Sequence, residues 1–332
     1  MRASLQVTAR AVALATALLA GHGTGAFAQT DPAATYPSRT IKIVVGFAAG
    51  GGNDIIARII GQKLQDSLHQ SVIIENKVGA GGRLAAEAVM ASPPDGYTLL
   101  VGASGAMSII PAISVRPPYD ALKNFAPISM IASFPLILAV YPSHPAKNVQ
   151  ELVAWMKANP DKSNYATSSS AFTLATELFK LKTGAPATAI PYKSSNESLV
   201  SVIGQQSLLT IADPPPTTPL VKGGQVRALA VTSATRLADL PEVPTMAEAG
   251  VAGIDVGLWS GIFAPAGTPP SIVRKLESEF RKMMQMADVK EKFHQMATGT
   301  VGSSSEEFAR TIESEIKMWT EVAKQANVKM EE

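Results

Sequence analysis

Apolar segments of strand length alternate along this chain with segments whose apolar residues recur at helical spacing. IKIVVGF (residues 41–47) precedes a helical stretch over 53–68, and SVIIENK (residues 71–77) precedes RLAAEAVMAS (residues 83–92). A PPDG turn then leads into the strand-like YTLLVGA (residues 97–103). This alternation predicts a parallel sheet with helices on both of its faces, and it limits the possible folds more than any other feature.

The middle of the chain repeats the same order. LILAVY, NVQELVAWMKANP, SNYATS and TLATELFKLKTG follow one another between residues 136 and 184 and predict a second α/β unit. DVGLWSGIFAPAGTPP (residues 255–270) is predicted to be extended. The remainder is predicted to form two amphipathic helices, SIVRKLESEFRKMMQM and SEEFARTIESEIKMWTEVAKQAN.

Residues 1–28 have the pattern of a secretory signal peptide. Arg2 and Arg10 precede the apolar AVALATALLA, and the small residues Ala26 and Ala28 suit a signal peptidase. The apolar run is too short to span a membrane. We therefore expect export to the periplasm of a Gram-negative cell. The chain contains no cysteine, which excludes disulfides, thiol nucleophiles and an anchor through a lipidated cysteine.

The charge balance bears on the class of partner. The chain has 29 basic and 27 acidic residues, and the predicted leader carries two of the bases and no acid. The mature chain is therefore formally neutral and shows no basic stripe, so we expect no nucleic-acid partner. Its length suits two domains.

The stretch FAAGGGND (residues 47–54) joins the first strand to the first helix. Backbone N–H groups of such a loop, together with a helix N-terminus, favour an anion. The loop lacks the Lys of a phosphate-binding P-loop, and Ile55 stands where the dinucleotide fingerprint requires a third glycine. A small anion is the favoured ligand; a tight turn without any ligand is the alternative. Helix capping is the simplest role for Asp54.

A serine follows the third strand. GASGAMS, with Ser104 inside it, approximates the nucleophile elbow of a serine hydrolase. A hydrolase also needs a histidine, and neither His144 nor His294 has a convincing context for a triad. A hydroxyl that donates to a ligand is the favoured role of Ser104, and helix capping by Ser104 or Ser108 is the alternative.

Two further loops follow strands of the second unit. ATSSSAFT (residues 166–173) offers consecutive hydroxyls that either bind a ligand or cap the next helix. Asp213, in IADPPP, either accepts a hydrogen bond from a ligand or braces the loops, and the sequence favours neither role. No histidine pair at helical spacing and no calcium-loop pattern indicates a metal, and we expect no cofactor.

Taken together, these segments resemble the Bug receptor family, the periplasmic solute-binding proteins of tripartite tricarboxylate transporters. The resemblance covers about residues 36–330. It rests on YPSRTIKIVVGFAAGGGNDIIAR, VIIENKVGAGG, DGYTLLVGASG, IPYK, VRALAVTS, RLADLPEVPTMAEAGV and GIFAPAGTP, which occur in this order. It implies the type II periplasmic binding fold, a Venus flytrap of two doubly wound α/β domains. The chain would cross between them near Ala139 and Asp255, so that residues 36–139 and 256–332 form the first domain and residues 140–255 the second.

The resemblance also implies a function. Such proteins capture a small organic acid in the cleft by hinge closure, for uptake or for sensing, and are not enzymes. The implied partners are membrane permease subunits or a membrane sensor, and the chain is expected to be a monomer. An exported serine esterase that uses Ser104 is the alternative. The implied ligand-binding residues are Phe47, Ala49, Gly51, Gly52, Asn53, Ser104 and Ala106 in the first domain, and Thr167, Ser168, Ser169, Ser170 and Asp213 in the second.

The chain departs from the family in four segments; GQQ near position 205 and ADPPP are two of them, and the other two lie at the glycine loop and at the loop before Leu174. Gly46 stands where the family usually has proline. The loop over residues 167–173 is compact and lacks the histidine that commonly precedes the position of Leu174. This loop faces the distal end of the ligand, where Phe172 adds an apolar surface. The sequence therefore leaves the identity of the acid open.

Overall fold

The computed structural model describes residues 31–326, so the predicted signal peptide lies outside the described residues. The strands are β1 Ile41–Val45, β2 Val72–Asn76, β3 Thr98–Ala103, β4 Phe125–Pro135, β5 Ile137–Val140, β6 Asn164–Thr167, β7 Thr188–Pro191, β8 Leu209–Ala212, β9 Arg227–Val231, β10 Gly257–Pro265 and β11 Gly299–Thr300. The α-helices are α1 Gly52–Leu68, α2 Arg83–Met90, α3 Ile110–Ile113, α4 Val149–Ala158, α5 Ser170–Thr183, α6 Ser195–Ile203, α7 Pro214–Lys222, α8 Pro270–Met283, α9 Ala287–Gln295 and α10 Ser305–Ala326.

Six strands form the first sheet, in the order β11-β4-β10-β3-β1-β2, and we call the part of the molecule built on it the first lobe. β1 is parallel to β2 and to β3, as the alternation of strands and helices predicts. β10 and β11 are antiparallel to their neighbours because the chain returns to this sheet from the second lobe. The sheet is therefore mixed, where the sequence predicted a parallel one.

The second lobe is built on a five-stranded sheet in the order β7-β6-β8-β5-β9. β6 is parallel to β7 and to β8, whereas β5 is antiparallel to β8 and β9. The two α/β units predicted from the sequence are thus confirmed, with β10 and β11 antiparallel in the first sheet and β5 antiparallel in the second.

The chain crosses between the lobes at two adjacent places. β4 ends at Pro135 in the first sheet and β5 pairs in the second from Ile137, so the chain passes from one sheet to the other at Leu136, three residues before Ala139. Thr232 links both crossings: its Oγ1 accepts from the N–H of Leu136 at 2.7 Å and donates to the C=O of Val256 at 2.7 Å. Val256 directly precedes β10, where the chain returns to the first sheet.

Amphipathic spacing explains how the first helix packs. Ile56, Ile60 and Leu64 of α1 are fully buried at intervals of about one turn, against apolar residues of β1. Burial of each such side chain stabilises the fold by roughly 1.5–3 kcal/mol. α1 ends where His69 takes a left-handed conformation with φ 52°. The N-terminus of this buried helix is thereby held at the edge of the sheet that faces the second lobe.

Two helical regions differ from the predictions. α5 begins at Ser170, three residues before the predicted start, because Ser169 caps it by accepting from the N–H of Phe172. The C-terminal region contains α9 and β11 between the two predicted amphipathic helices. Within residues 31–326, no helix combines the length and the apolar character that crossing a membrane requires.

Candidate functional site

Hydrogen bonds to Asp54 stabilise the conformation of the glycine-rich loop. This carboxylate is 2% exposed and accepts from the N–H of Gly50 at 3.0 Å, from Arg58 at 2.9 Å and from Asn76 at 2.8 Å. Burial alone would raise the pKa of Asp54, but these hydrogen bonds outweigh it and hold the pKa below its ordinary value. The helix cap itself is Gly51, so Asp54 is not the capping residue.

A carboxylate of the second lobe lies against the start of α1. Asp213, which follows β8, is 1% exposed, and a Cβ on Gly52 would lie 1.6 Å from its Oδ2. Only glycine permits this approach. Burial raises the pKa of Asp213 to about 6, although hydrogen bonds from Ser195 and from the N–H of Gly52 favour the charged form. Its Oδ1 has no hydrogen-bond partner. Asp213 thus packs between the loop after β8 and the start of α1.

Further contacts join the two lobes on either side of Asp213. The N–H of Ala48 donates to the C=O of Lys193 at 3.3 Å, and the hydroxyl of Ser170 donates to the C=O of Gly105 at 3.2 Å. A Cβ on Gly105 would lie 3.2 Å from that of Ala171. The glycine loop and the loop after β3 therefore touch the second lobe directly, and the structure is a closed form of the cleft.

A small cavity lies between these loops. Its volume is about 20 Å³, which is room for about one water molecule. Among the residues that line it are Phe47, Gly51, Gly52, Asn53, Ser104, Ser169, Phe172, Ser195 and Trp259. Asn53 Oδ1 accepts from the hydroxyl of Ser260 at 2.7 Å, so this amide is fixed by the first lobe. A molecule larger than water enters this region only when the lobes separate.

A large cavity of about 480 Å³ adjoins the small one, and Ser169 lines both. Its volume lies in the range of about 300–1,000 Å³ that is usual for small-molecule sites. The first lobe contributes Ala80, Gly81, Ile110 and Ile113, and the second contributes Thr167, Ser168, Ser169, Ser170, Thr173, Leu174, Glu177, Pro191 and Tyr192. The cavity therefore combines hydroxyls at the start of α5 with an apolar surface from both lobes.

Ser104 does not have the geometry of a hydrolase nucleophile. Its backbone lies in the ordinary helical region, with φ −51° and ψ −37°, whereas a nucleophile elbow is a strained turn. Its Oγ accepts from the N–H of Trp259 at 3.4 Å. The ring of His144 packs between Tyr141 and Trp155, away from the cleft. Among residues 31–326, no histidine lines the cavity that contains Ser104.

The structure brings most of the predicted site residues to the two cavities, but three lie elsewhere. Ala49 is exposed and lines neither cavity, because the loop turns outward between Ala48 and Gly50. Ala106 is buried in the core of the first lobe, where its C=O accepts from Tyr119. Asp213 lies behind Gly52 and Ser195 and not on a cavity wall.

Several lining residues escaped the sequence reasoning. Ser195 starts a helix after a strand, as the predicted hydroxyls do, so its position was a usable signal. Glu177 and Tyr192 gave no signal, because a helical glutamate and a strand-end tyrosine ordinarily face solvent. Within the described residues, no three His, Asp or Glu side chains group closely enough to hold a metal ion.

Comparisons with known proteins extend over both lobes. A family model described as the tripartite tricarboxylate transporter family receptor matches residues 56–328. Protein BugT of Bordetella pertussis is 35% identical over 314 residues, which are 92% of this chain and 95% of BugT.

Two solved structures are also similar throughout. Rpa4515 of R. palustris, solved with adipate, is 35% identical with a TM-score of 0.85, over 89% of this chain and 99% of its own. The periplasmic binding protein BugD is 31% identical with a TM-score of 0.85, over 89% of this chain and 100% of its own.

Proposed function

Because the chain belongs to the tripartite tricarboxylate transporter receptor family, we propose that it is a periplasmic solute-binding protein that captures a small organic acid between its two lobes. The resemblance to the Bug receptors, drawn from the sequence, is confirmed by these comparisons. Its relatives include a periplasmic binding protein and a structure that contains adipate. We propose the same binding role and the same location for the present chain.

The observation that carries the proposal is the lining of the cleft. Hydroxyl groups and a helix start from the second lobe face apolar side chains of the first lobe across the large cavity, and Ser169 and Ser195 face the glycine loop across the small one. Helix N-termini and hydroxyls bind carboxylates without any basic side chain. The ligand-binding residues we propose are Phe47, Gly51, Gly52, Asn53, Ser104 and Ser195 at the small cavity and Thr167–Ser170 at the large one, with Asp213 as a brace.

Capture proceeds by rotation of one lobe against the other. The crossings at Leu136 and over residues 232–256 are the only covalent links between the sheets in the described residues, and such crossings serve as hinges. We place the first domain at residues 36–136 with 256–326, and the second at residues 137–255. An esterase is not favoured, since Ser104 has neither the backbone geometry nor a histidine for that reaction.

A panel of purified acids tests this function. The chain without residues 1–28 is mixed with aliphatic, aromatic and amino dicarboxylates and their monocarboxylate counterparts, and unfolding is followed by temperature. A true ligand stabilises the folded protein by about 2.7 kcal/mol at about 100-fold excess over its Kd. A panel in which no acid raises the melting temperature contradicts the proposal.

The role after capture is uptake through membrane permease subunits or signalling through a membrane sensor, with the protein acting as a monomer. Both roles require the same closed form. Membrane extracts passed over the immobilised protein, with and without the best acid of the panel, distinguish them by whether the retained partner is a permease or a sensor. Retention of neither in the presence of the acid contradicts both roles.

A further inference from the structure

Closure of the cleft brings an acidic side chain of the second lobe against the first lobe. Asp213 follows β8 in the second lobe, and Gly52 at the start of α1 belongs to the first. The two lie so close that a Cβ on Gly52 would stand 1.6 Å from Asp213 Oδ2. Gly52 and Ser195, which cover this carboxyl, are also walls of the small cavity in the cleft. Separation of the lobes therefore withdraws Gly52 and lets water reach Asp213.

The buried carboxyl of Asp213 is incompletely hydrogen-bonded in the closed form. Ser195 and the N–H of Gly52 donate to it, but its Oδ1 is buried without a hydrogen-bond partner. A charged carboxylate is costly to bury in this way, whereas a neutral carboxyl costs much less. Burial accordingly raises the pKa of Asp213 to about 6 and outweighs the two donors, which favour the charged form. The closed form therefore holds a proton on Asp213 more tightly than an open form does.

The charged side chains on the elements that pack against Asp213 each have another partner. They are Asp54 with Arg58 on α1, Glu197 with the N–H of Lys193 on α6, and Lys222 with Asp239 on α7. Among the described residues, no charged side chain contributes to the raised pKa of Asp213, which follows from burial. The proton affinity of this carboxyl therefore depends on whether the lobes are closed.

A second contact between the lobes also depends on protonation. His294, on α9 of the first lobe, lies with its Nδ1 3.2 Å from Oδ2 of Asp239 in the second lobe. The two form an ion pair only when the ring is protonated, and the side chain of His294 is 60% exposed. Because exposed ion pairs contribute little, this contact adds a smaller effect of the same sign. A test of Asp213 must therefore remove the contribution of His294.

We propose that closure of the cleft takes up a proton at Asp213, so that the protein captures its organic acid more tightly in mildly acidic than in neutral solution. The proton comes from solvent when the lobes close, and it returns to solvent when they separate. Rotation about the hinge at Leu136 and residues 232–256 couples the two events. This inference rests on the proposed function and adds regulation by pH to the same cleft.

The affinity for an acid at different pH values tests this coupling. Adipate, or the acid of the panel that binds most tightly, is titrated calorimetrically into the wild type and into Asp213→Asn at about pH 5, 6 and 7. Titration of the acid itself cancels in the ratio of the two affinities. With the pKa of Asp213 raised from 3.8 to about 6 by closure, the ratio of wild type to variant should rise about tenfold from pH 7 to pH 5. A ratio that stays constant or falls overturns the inference.

The same titrations count the protons that binding takes up. Repeating them in buffers with different ionisation enthalpies gives the number of protons exchanged per bound acid. The wild type should take up about 0.8 proton more than Asp213→Asn at pH 5, and about 0.1 more at pH 7. Equal proton exchange in the two proteins at pH 5 contradicts the coupling. Asp213→Ser, which also lacks a titratable group, replaces Asp213→Asn if that variant does not fold.

Two control variants separate Asp213 from other titrating groups. Asp161→Asn makes the same chemical change at an exposed position of the second lobe, outside both cavities, and should keep the pH dependence of the wild type. In a His294→Gln background, adding Asp213→Asn should still remove a tenfold dependence. Loss of that difference assigns the effect to His294 and overturns the role of Asp213.

Failure of the inference is distinguishable from failure of the proposed function. Binding of an acid without the expected proton uptake refutes only the inference. If no acid of the panel binds the wild-type chain at any of these pH values, the proposed function itself fails.

Discussion

Replacing Asp213 by Asn tests how tightly the second lobe closes on the glycine loop. The carboxylate is fully buried against Gly52, one of its oxygens has no partner, and burial raises its pKa to about 6. Asn has nearly the same shape and still accepts from Ser195 and from the N–H of Gly52. The substitution therefore removes the charge and keeps the packing.

The sign and size of the effect follow from the raised pKa. The ordinary value is 3.8 and the folded value is about 6, so the folded state binds the proton more tightly than the unfolded state by about 2 pK units. At about 1.36 kcal/mol per unit, ionisation of Asp213 costs the closed protein about 3 kcal/mol. The stabilisation that protonated Asp213 contributes is present below about pH 4, is lost as the pH rises to about 6, and stays lost above pH 6.

Urea unfolding of both proteins at several pH values measures this difference. Asp213→Asn should match the wild type near pH 4 and be up to about 3 kcal/mol more stable above pH 6. All other titrating groups cancel in the comparison. A difference that does not vary with pH would refute the raised pKa, and with it the closed contact.

Asp54→Asn supplies a control of opposite sign in the same loop. Its pKa is lowered because hydrogen bonds from Arg58, Gly50 and Asn76 outweigh its burial. Asp54→Asn should therefore be less stable than the wild type at neutral pH, and the deficit should shrink as the pH falls through the lowered pKa. If both variants shift in the same direction with pH, the pKa values are not set by these contacts.

Two further changes test closure and the hinge. Gly52→Ala places a methyl group 1.6 Å from Asp213 Oδ2 and so excludes the closed form. Acids should then bind at least about tenfold more weakly by calorimetry, while urea unfolding still shows a cooperative transition. Unchanged affinity would contradict the contact. Thr232→Val removes the hydroxyl that bridges Leu136 and Val256 and leaves a buried N–H and a buried C=O without this partner. The substitution should lower the free energy of unfolding by about 1–3 kcal/mol. An unchanged free energy of unfolding would show that the bridge does not hold the hinge.

Local patterns predicted the fold well because each strand and helix carries its own periodicity. β1, the glycine loop and α1 follow the predicted order, and so do the hydroxyls before α5. α9 and β11 were not predicted, since a short helix and a two-residue strand carry too few periods to be recognised. The antiparallel direction of β5 and β10 depends on the return of the chain between lobes, which no local pattern records.

The site was predicted only where a loop follows a strand. Phe47, Asn53 and Ser104 lie at the carboxyl ends of strands, where ligands of α/β sheets gather, and the structure brings them to one cavity. Ala49 and Ala106 were included with their loops, although one faces solvent and the other the core. Glu177 lies in the middle of a helix, so only the approach of the two lobes makes it part of a cavity.

The three glycines of the loop have a further reason to be glycine. Gly50 has φ +83°, a Cβ on Gly51 would lie 3.2 Å from the Cβ of Ser194, and one on Gly52 would collide with Asp213. The loop is thus shaped by the second lobe as much as by any ligand. A glycine-rich anion loop in the sequence predicts an anion, and here the anion in the closed form is a carboxylate of the protein itself. Closure therefore fixes the conformation of the glycine loop.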